Sequence, residues 1–453
     1  MKAPSPPATS GDPPWVYLPA YASEALPRYT SYPPANRFHA GVGPEQATEA
    51  IRSLRRGASI SLYLHIPYCQ QLCWYCGCHT SVPTRADPVE SYLDALHREI
   101  MLVGGQTPPG VCVTHVHIGG GSPDTLRPNQ LRRLFTRLNE NFAFDRNVEI
   151  AVELDPRGVS DELAWAMKES GVTRTSLGVQ ALDEGVQKRI NRIQSRDQVT
   201  EAVLHLRLAG IGSLNMDVMY GLPGQTVAHV VETAQFAADQ QADRVAVFGY
   251  AHVPWFKKHQ GAIKVDDLPQ GEARFRQAEA AAATLRARNY LAIGFDHFAF
   301  GAASRARAQQ AGRLRRNFQG YTADQSDALI GFGASAISSM PGLYYQNEPD
   351  SRAYRTKIEA GTMPVVRGAV VSADDRERSR LIETLLCRFE ANVNSDLLFP
   401  ALPRLQRLEA AGIVEITEGL VKVTLAGRPY VRNVAASFDA QFDVVPGRHS
   451  LAV

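Results

Sequence analysis

The run Cys69-Gln-Gln-Leu-Cys73-Trp-Tyr-Cys76-Gly-Cys78 sets four cysteines within ten residues, and no other stretch constrains the fold as much. Its C-x3-C-x2-C part puts three thiolates on one short loop. A cubane iron–sulfur cluster needs thiolates converging from a small volume, and cysteine is its usual ligand. Three ligands leave one iron open to chelate a further molecule. Other uses of cysteine fit less well. Structural zinc takes C-x2-C pairs repeated at a distance, and no second pair occurs. Disulfide frameworks belong to short, cysteine-dense secreted chains, whereas this one has six cysteines in 453 residues. Cys112 and Cys387 stand alone in apolar surroundings and are expected in the core.

Length suggests about two to three domains. A hydrophobic content of 44% suits a large core, and a net charge of +2 makes no whole-chain case for nucleic acid. Residues 1–14 are proline-rich, lack the apolar stretch of a signal peptide and are expected to be flexible. No run of about 18 apolar residues indicates a membrane span. Thiols without an export signal point to the cytoplasm.

From residue 59 the pattern alternates. Strands are expected at 59–66, 113–118, 148–154, 173–179, 213–219 and 244–248, and helices at 88–103, 129–142, 198–208, 226–240 and 271–290. Repeated βα units imply a parallel sheet with helices outside. About six units are countable, fewer than a closed eight-unit barrel, so the expected fold is α/β, a partial parallel βα barrel open at one side. Sites in such folds lie at the C-terminal strand ends. The cysteine loop, Gly119-Gly120-Gly121-Ser122-Pro123, Glu153, Gln180, Asp217 and Tyr250-Ala251-His252 all fall there. Past residue 371 the pattern turns helical, at 373–391, 402–411 and 426–438, with a hairpin turning at Glu418-Gly419. The expected division is an N-terminal extension and lid segment (1–50), the partial barrel (51–370) and a mainly helical C-terminal domain with a small hairpin (371–453). That last module reads as a packing lid or, less readily, as a DNA-binding wing, since Arg404 and Arg407 mix with Glu409.

C-x3-C-x2-C is the spacing of the radical S-adenosylmethionine enzymes. From Pro27 to about Phe442 the chain resembles one branch of them, the oxygen-independent coproporphyrinogen III oxidases. The matching motifs are Arg28-Tyr-Thr-Ser-Tyr-Pro, His65-Ile-Pro-Tyr-Cys, Gly119-Gly-Gly-Ser-Pro, Glu153-Leu-Asp-Pro-Arg, Ser176-Leu-Gly-Val-Gln and Asn191-Arg192. Others are Asn215-Met-Asp-Val-Met-Tyr-Gly-Leu-Pro, Tyr250-Ala-His-Val-Pro, Phe295-Asp-His-Phe-Ala, Asn317-Phe-Gln-Gly-Tyr-Thr and Gly333-Ala-Ser-Ala-Ile-Ser. Their number and order make the resemblance specific. A haem-chaperone-like branch lacks the Cys76-Gly-Cys78 ending and usually the Arg28 motif, and both are present here.

The resemblance implies a [4Fe–4S] cluster on Cys69, Cys73 and Cys76, with S-adenosylmethionine on the open iron. One electron would then release a 5′-deoxyadenosyl radical; such clusters reach about −400 to −700 mV. It also implies two S-adenosylmethionine molecules, lined by Tyr63, Gly120, Glu153, Ala251 and Ile337, with Tyr75, Gly121, Ser122, Gln180, Arg192 and Asp217. Glu153 and Asp217 suit ribose hydroxyls or an α-amino group and Arg192 a carboxylate, although each also reads as a local ion pair. The glycine run reads as bare backbone beside the methionyl end, or as an ordinary βα turn. Tyr63 and Cys78 are implied at the reacting centre, with Cys78 outside the cluster's ligand set.

The implied reaction turns two propionates of coproporphyrinogen III into vinyl groups, with an electron donor of flavodoxin or ferredoxin type and a monomeric enzyme. Four substrate carboxylates call for arginine. Arg28 is one candidate; the run Arg305–Arg316 is another, or a solvated helix face. Tyr29 and Tyr32 are expected in an N-terminal lid. Phe300-Gly-Ala-Ala stands where many members carry acidic residues. That keeps a haem chaperone, a radical methyltransferase or a haem-degrading paralogue as alternatives.

Overall fold

The computed structural model describes residues 15–85, 87–301, 304–442 and 450–452. The proline-rich residues 1–14, the pair Ala302-Ala303 and the side chain of Arg305 lie outside them.

Strand β1 (Ser59–Ile66) shows how the fold arises. Its side chains alternate between faces, as in any strand. Ile60, Leu62, Leu64 and Ile66 are at most 1% exposed, and Ser61, Tyr63 and His65 take the other face. Burying each aliphatic contributes about 1.5–3 kcal/mol, which fixes the register. β2 (Cys112–Gly120) repeats the division, with Val113, Val116 and Ile118 buried and His115 and His117 opposite. β3 (Ala143–Leu154), β4 (Arg174–Gln180), β5 (Ser213–Tyr220) and β6 (Arg244–Gly249) follow in order, all parallel. Between them run α1 (Asp87–Gly104), α2 (Pro128–Asn141), α3 (Asp161–Glu169), α4 (Arg196–Leu208) and α5 (Val227–Asp239). After α6 (Gly271–Ala287) the chain adds β7 (Tyr290–Ile293) and β8 (His297–Phe300), then β9 (Ala328–Phe332), β10 (Ile337–Met340), β11 (Leu343–Asn347) and β12 (Val365–Val370).

The strands form one sheet in the order β12-β11-β10-β9-β1-β2-β3-β4-β5-β6-β8-β7. Six consecutive βα strands are those the sequence pattern implies, and the sheet stays open, ending at β12 and β7. Two features exceed the pattern. β3 begins at Ala143, five residues early, and β9 joins beside β1 as a seventh parallel strand. All five residues of β9 are buried, so it shows no alternation to read.

Past β12 lie α7 (Ala373–Arg388) and α8 (Ser395–Ala410). α8 starts seven residues before the expected 402, with Pro400 and Pro403 inside it. Its Asn394 cap and its buried stripe Leu397, Ala401, Leu405 and Leu408 outweigh the donors those prolines lack. The helix expected at 426–438 is three short turns, Arg428–Tyr430, Val431–Ala435 and Ala436–Phe438. The hairpin turns at Glu418 (φ 48°) and Gly419 (φ 86°), as a tight two-residue turn requires. Arg404 of α8 pairs with Glu24 at 2.7 Å, so this helix packs on the N-terminal segment. Tyr29 donates to Asp439 (3.1 Å) and Tyr32 accepts from the Ala440 amide (3.0 Å). Among the described residues no helix is long and apolar enough to cross a membrane.

One buried acid locks the loop after β9. Glu99 of α1 accepts from the Gly333 amide (2.7 Å), Asn347 (2.7 Å) and the Tyr354 hydroxyl (2.6 Å). Burial pushes its carboxyl up to about 7 although these donors favour the ionised form. Between about 4.5 and about 7 the native chain holds this proton more tightly than the unfolded chain, so this group's contribution to stability falls as pH rises. Glu99→Gln cannot ionise. Its unfolding free energy, from denaturant titrations at several pH values, is expected to fall less across that window than that of the wild type. Parallel profiles would remove the assignment.

Candidate active site

The cysteine loop leaves the C-terminal end of β1 and is held by backbone contacts on several sides. Cys69 N–H donates to Ser81 O (3.0 Å) and Trp74 N–H to Ile190 O (2.9 Å). Asn191 donates to Leu72 O (2.8 Å). From the segment after β6, Lys257 reaches Cys78 O (2.8 Å), His259 reaches Cys76 O (2.7 Å) and Gln260 reaches Tyr75 O (2.9 Å). These anchors set where the thiols point.

Cys73 is buried against two guanidinium groups, Arg192 Nη1 at 3.5 Å and Arg157 Nη2 at 3.9 Å from Sγ. Both arginines share Asp155, at 2.8 and 2.6 Å. Arg192 also donates to Gly178 O (2.6 Å), so its fork is engaged by protein groups. Burial pushes the Cys69 thiol up to about 12. The Cys78 side chain, opposed by burial but aided by the Cys78 amide, His259 and Lys257, brings Cys76 down to about 6.

Among the described residues no three His, Cys, Asp or Glu side chains gather around a point that would hold a single ion. A cubane spreads its thiolates over separate corners, and the three thiols feel one another's charge across the loop. Soft thiolates ringed by Arg157, Arg192 and Lys257 suit an anionic thiolate-ligated cluster.

Beside the loop opens a cavity of about 440 Å3, walled by Tyr63, His65, Gly77, Cys78, Gly120, Glu153, Phe318, Gln319, Ser335 and Ile337, among others. Five residues singled out in the sequence thus meet on one surface: Tyr63, Cys78, Gly120, Glu153 and Ile337. Glu153 bonds His117 Nε2 (2.8 Å) and accepts from the Gly120 amide (3.3 Å). These contacts hold its carboxyl below the usual range even though burial works the other way. Burial keeps His65 neutral, down at about 4. Its Nε2 faces His79 O (2.8 Å) and must carry the proton, so Nδ1 accepts from the Tyr63 hydroxyl (3.0 Å). Tyr63 itself stays a phenol, raised by burial and by Glu153.

The remaining candidates lie around this wall. Gly120 has φ 109°, and a Cβ on Gly121 would sit 2.5 Å from Tyr68 O, so close strand packing demands both glycines. Ser122 is buried, its hydroxyl on Asp124 and the Asp155 amide. Asp217 accepts from Ser176 (3.1 Å) and Asn215 (2.8 Å). Gln180 (φ 63°) and Ala251 close the ends of β4 and the turn after β6, and Tyr75 packs near Ile190 and Tyr250. Sequence reasoning missed His65, His79, Phe318, Gln319, Ser335 and Ala336 as wall residues. Five of them lie inside quoted motifs, so the signal was present without the direction of each side chain.

The run Arg305–Arg316 splits into a helix, Ser304–Gln310, and a hairpin, Arg315–Asn317 with Gly320–Thr322. Arg315 pairs with Glu383 at 2.8 Å.

The sequence profile of the radical SAM superfamily matches residues 63–237. The chain is 43% identical over 443 residues to the oxygen-independent coproporphyrinogen III oxidase of Bradyrhizobium diazoefficiens, covering 96% of this chain and 98% of that one. It is 35% identical over 427 residues to the Escherichia coli K12 protein of the same name, covering 91% and 92%. The solved structure of coproporphyrinogen III oxidase from Escherichia coli, described as a radical SAM enzyme, superposes with a TM-score of 0.88 at 34% identity, over 92% of this chain and 98% of that one.

Asp155→Asn would leave the buried Arg192 and the half-buried Arg157 guanidinium without their carboxylate. Removing one partner of such a group costs about 3–5 kcal/mol, and denaturant unfolding is expected to show a loss of that order.

Proposed function

The chain belongs to the oxygen-independent coproporphyrinogen III oxidases, and on that footing we propose that it converts two propionate side chains of coproporphyrinogen III to vinyl groups, giving protoporphyrinogen IX in haem biosynthesis. It is a radical S-adenosylmethionine oxidoreductase. Each conversion sheds one β-hydrogen atom, CO2 and one electron. The observation that carries the reading is the 440 Å3 cavity, whose wall joins the cysteine loop at Gly77 and Cys78 to the strand ends at Gly120 and Glu153.

Cys69, Cys73 and Cys76 are the residues that would hold the cluster. Bound there, a [4Fe–4S] cluster and S-adenosylmethionine supply low-potential electrons and radical hydrogen abstraction. The chain's own part is placement. Arg157 and Arg192 flank the Cys73 sulfur, while Lys257, His259 and Gln260 hold the loop's carbonyls. Glu153 offers the cavity an ionised carboxylate, fit for a ribose hydroxyl or an α-amino group. His65 fixes the direction of the Tyr63 hydroxyl. Cys78 stands in the wall beside Cys76 and is assigned to the reacting centre with Tyr63.

Two S-adenosylmethionine molecules are assigned to this region. Tyr63, Gly120, Glu153, Ala251 and Ile337 line them with Tyr75, Gly121 and Gln180, while Ser122, Arg192 and Asp217 shape the site through the contacts described above. A cytoplasmic monomer served by a flavodoxin- or ferredoxin-type donor completes the reading, with the division at residues 50 and 370.

Anaerobic incubation of cluster-loaded protein with dithionite, S-adenosylmethionine and coproporphyrinogen III is expected to give two losses of CO2 and 5′-deoxyadenosine by mass spectrometry. Deoxyadenosine with intact porphyrinogen would move the function to another substrate. Cys69→Ser is expected to lose the bound iron, whereas Cys78→Ser keeps it and loses turnover. Equal iron loss in both would refute this division of roles.

A further inference from the structure

Two arginines that stand far apart in sequence, Arg28 and Arg316, meet near the end of β6. The Arg316 Nε donates to the Arg28 carbonyl (3.4 Å). The Arg316 guanidinium is buried between the rings of Phe295 (4.8 Å) and Tyr321 (4.6 Å), which fix its plane. Its Nη2 lies 3.9 Å from Asp296 Oδ2, and Asp296 Oδ1 is taken by His297 at 2.6 Å. Its Nη1 is buried and finds no acceptor.

Arg28 differs in being exposed, although its neighbours Leu26 and Tyr29 are buried. It donates Nη2 to Gly249 O at 3.3 Å. Its side chain opens onto a cavity of about 50 Å3 that Asp296, Arg274 and Arg432 also line. A water needs roughly 10–15 Å3 of such space, so a carboxylate fits. Gly249 ends β6, and Arg316 stands two residues before Phe318 in the wall of the 440 Å3 cavity, so both arginines sit on the strand-end side of the sheet where that cavity opens. Arg316 faces the Asp296 carboxylate, which lines the small cavity together with Arg28, and a planar guanidinium binds a carboxylate in a two-bond fork.

We propose that Arg28, positioned by Arg316, is a carboxylate subsite that holds a propionate of the tetrapyrrole other than the one reacting. This rests on the function proposed above and adds the residue that reads the substrate's acid groups.

The probe is coproporphyrin III, the stable oxidised tetra-acid, titrated by fluorescence against cluster-loaded protein, beside its tetramethyl ester. Losing a charge-assisted hydrogen bond weakens binding by about tenfold or more. Arg28→Gln and Arg316→Gln are expected to show that loss for the tetra-acid and none for the ester, with Arg28→Lys between them and the wild type. Iron content and circular dichroism check folding, and Arg28→Lys carries the test if a glutamine variant misfolds. Unchanged affinity for the tetra-acid, or equal loss for acid and ester, overturns the assignment. If the wild type also converts coproporphyrinogen III, only the arginine assignment falls. A wild type that neither binds the tetra-acid nor converts the porphyrinogen overturns the functional reading and this inference with it.

Discussion

The alternation of side chains along the six parallel βα strands is the constraint on which everything else depends. One face of each strand buries aliphatic groups, as Ile60, Leu62 and Leu64 do on β1. The opposite faces therefore meet one another, and they are polar. Ser61 reaches Asp324, His115 pairs with Asp324 at 3.1 Å, and Tyr63 stacks on His117, which holds Glu153. Ser176 and Asn215 hold Asp217 in the same way. A polar interior of this kind is stable only when its groups are mutually bonded. Because the strands are parallel, their ends open on one side, where the loops carrying chemistry converge.

The cysteine loop shows how that frame becomes a site. A ten-residue stretch with so many thiols has little hydrophobic content with which to fold by itself. Its shape comes from outside, through Ile190, Asn191, Lys257, His259 and Gln260. Asp155 at the end of β3 gathers Arg157 and Arg192 behind Cys73, so a strand end, a loop and a helix turn share one electrostatic centre. Charges in a partly buried place interact more strongly than they would in water.

Several residues whose types suggested cofactor contact also hold the frame. Ser122 caps the chain at Asp155, Asp217 is bonded to its sheet neighbours, and Arg192 is engaged by Cys73, Asp155 and Gly178. Gly121 is small because Tyr68 lies against it. The N-terminal tyrosines are similar: expected in a lid, Tyr29 and Tyr32 are tied to Asp439 and Ala440 at the other end of the chain.

Local pattern was enough for the six βα units, the hairpin at Glu418-Gly419 and the three-thiol loop, because each is written in period, turn residues or spacing over a few positions. α8 begins before its expected start because tertiary packing of the Leu397–Leu408 stripe overrides the local penalty of Pro400. β9 was missed because a strand buried on both faces has no period. Sequence also named Tyr63, Cys78, Gly120, Glu153 and Ile337, which do share one cavity. It did not place Phe318 or Gln319 opposite them, nor bring Arg28 to Arg316 across 288 positions. Spacing determines what a loop or strand face presents locally. Which faces meet is decided only when the sheet curls and both termini pack against it, since those contacts are set by long-range burial.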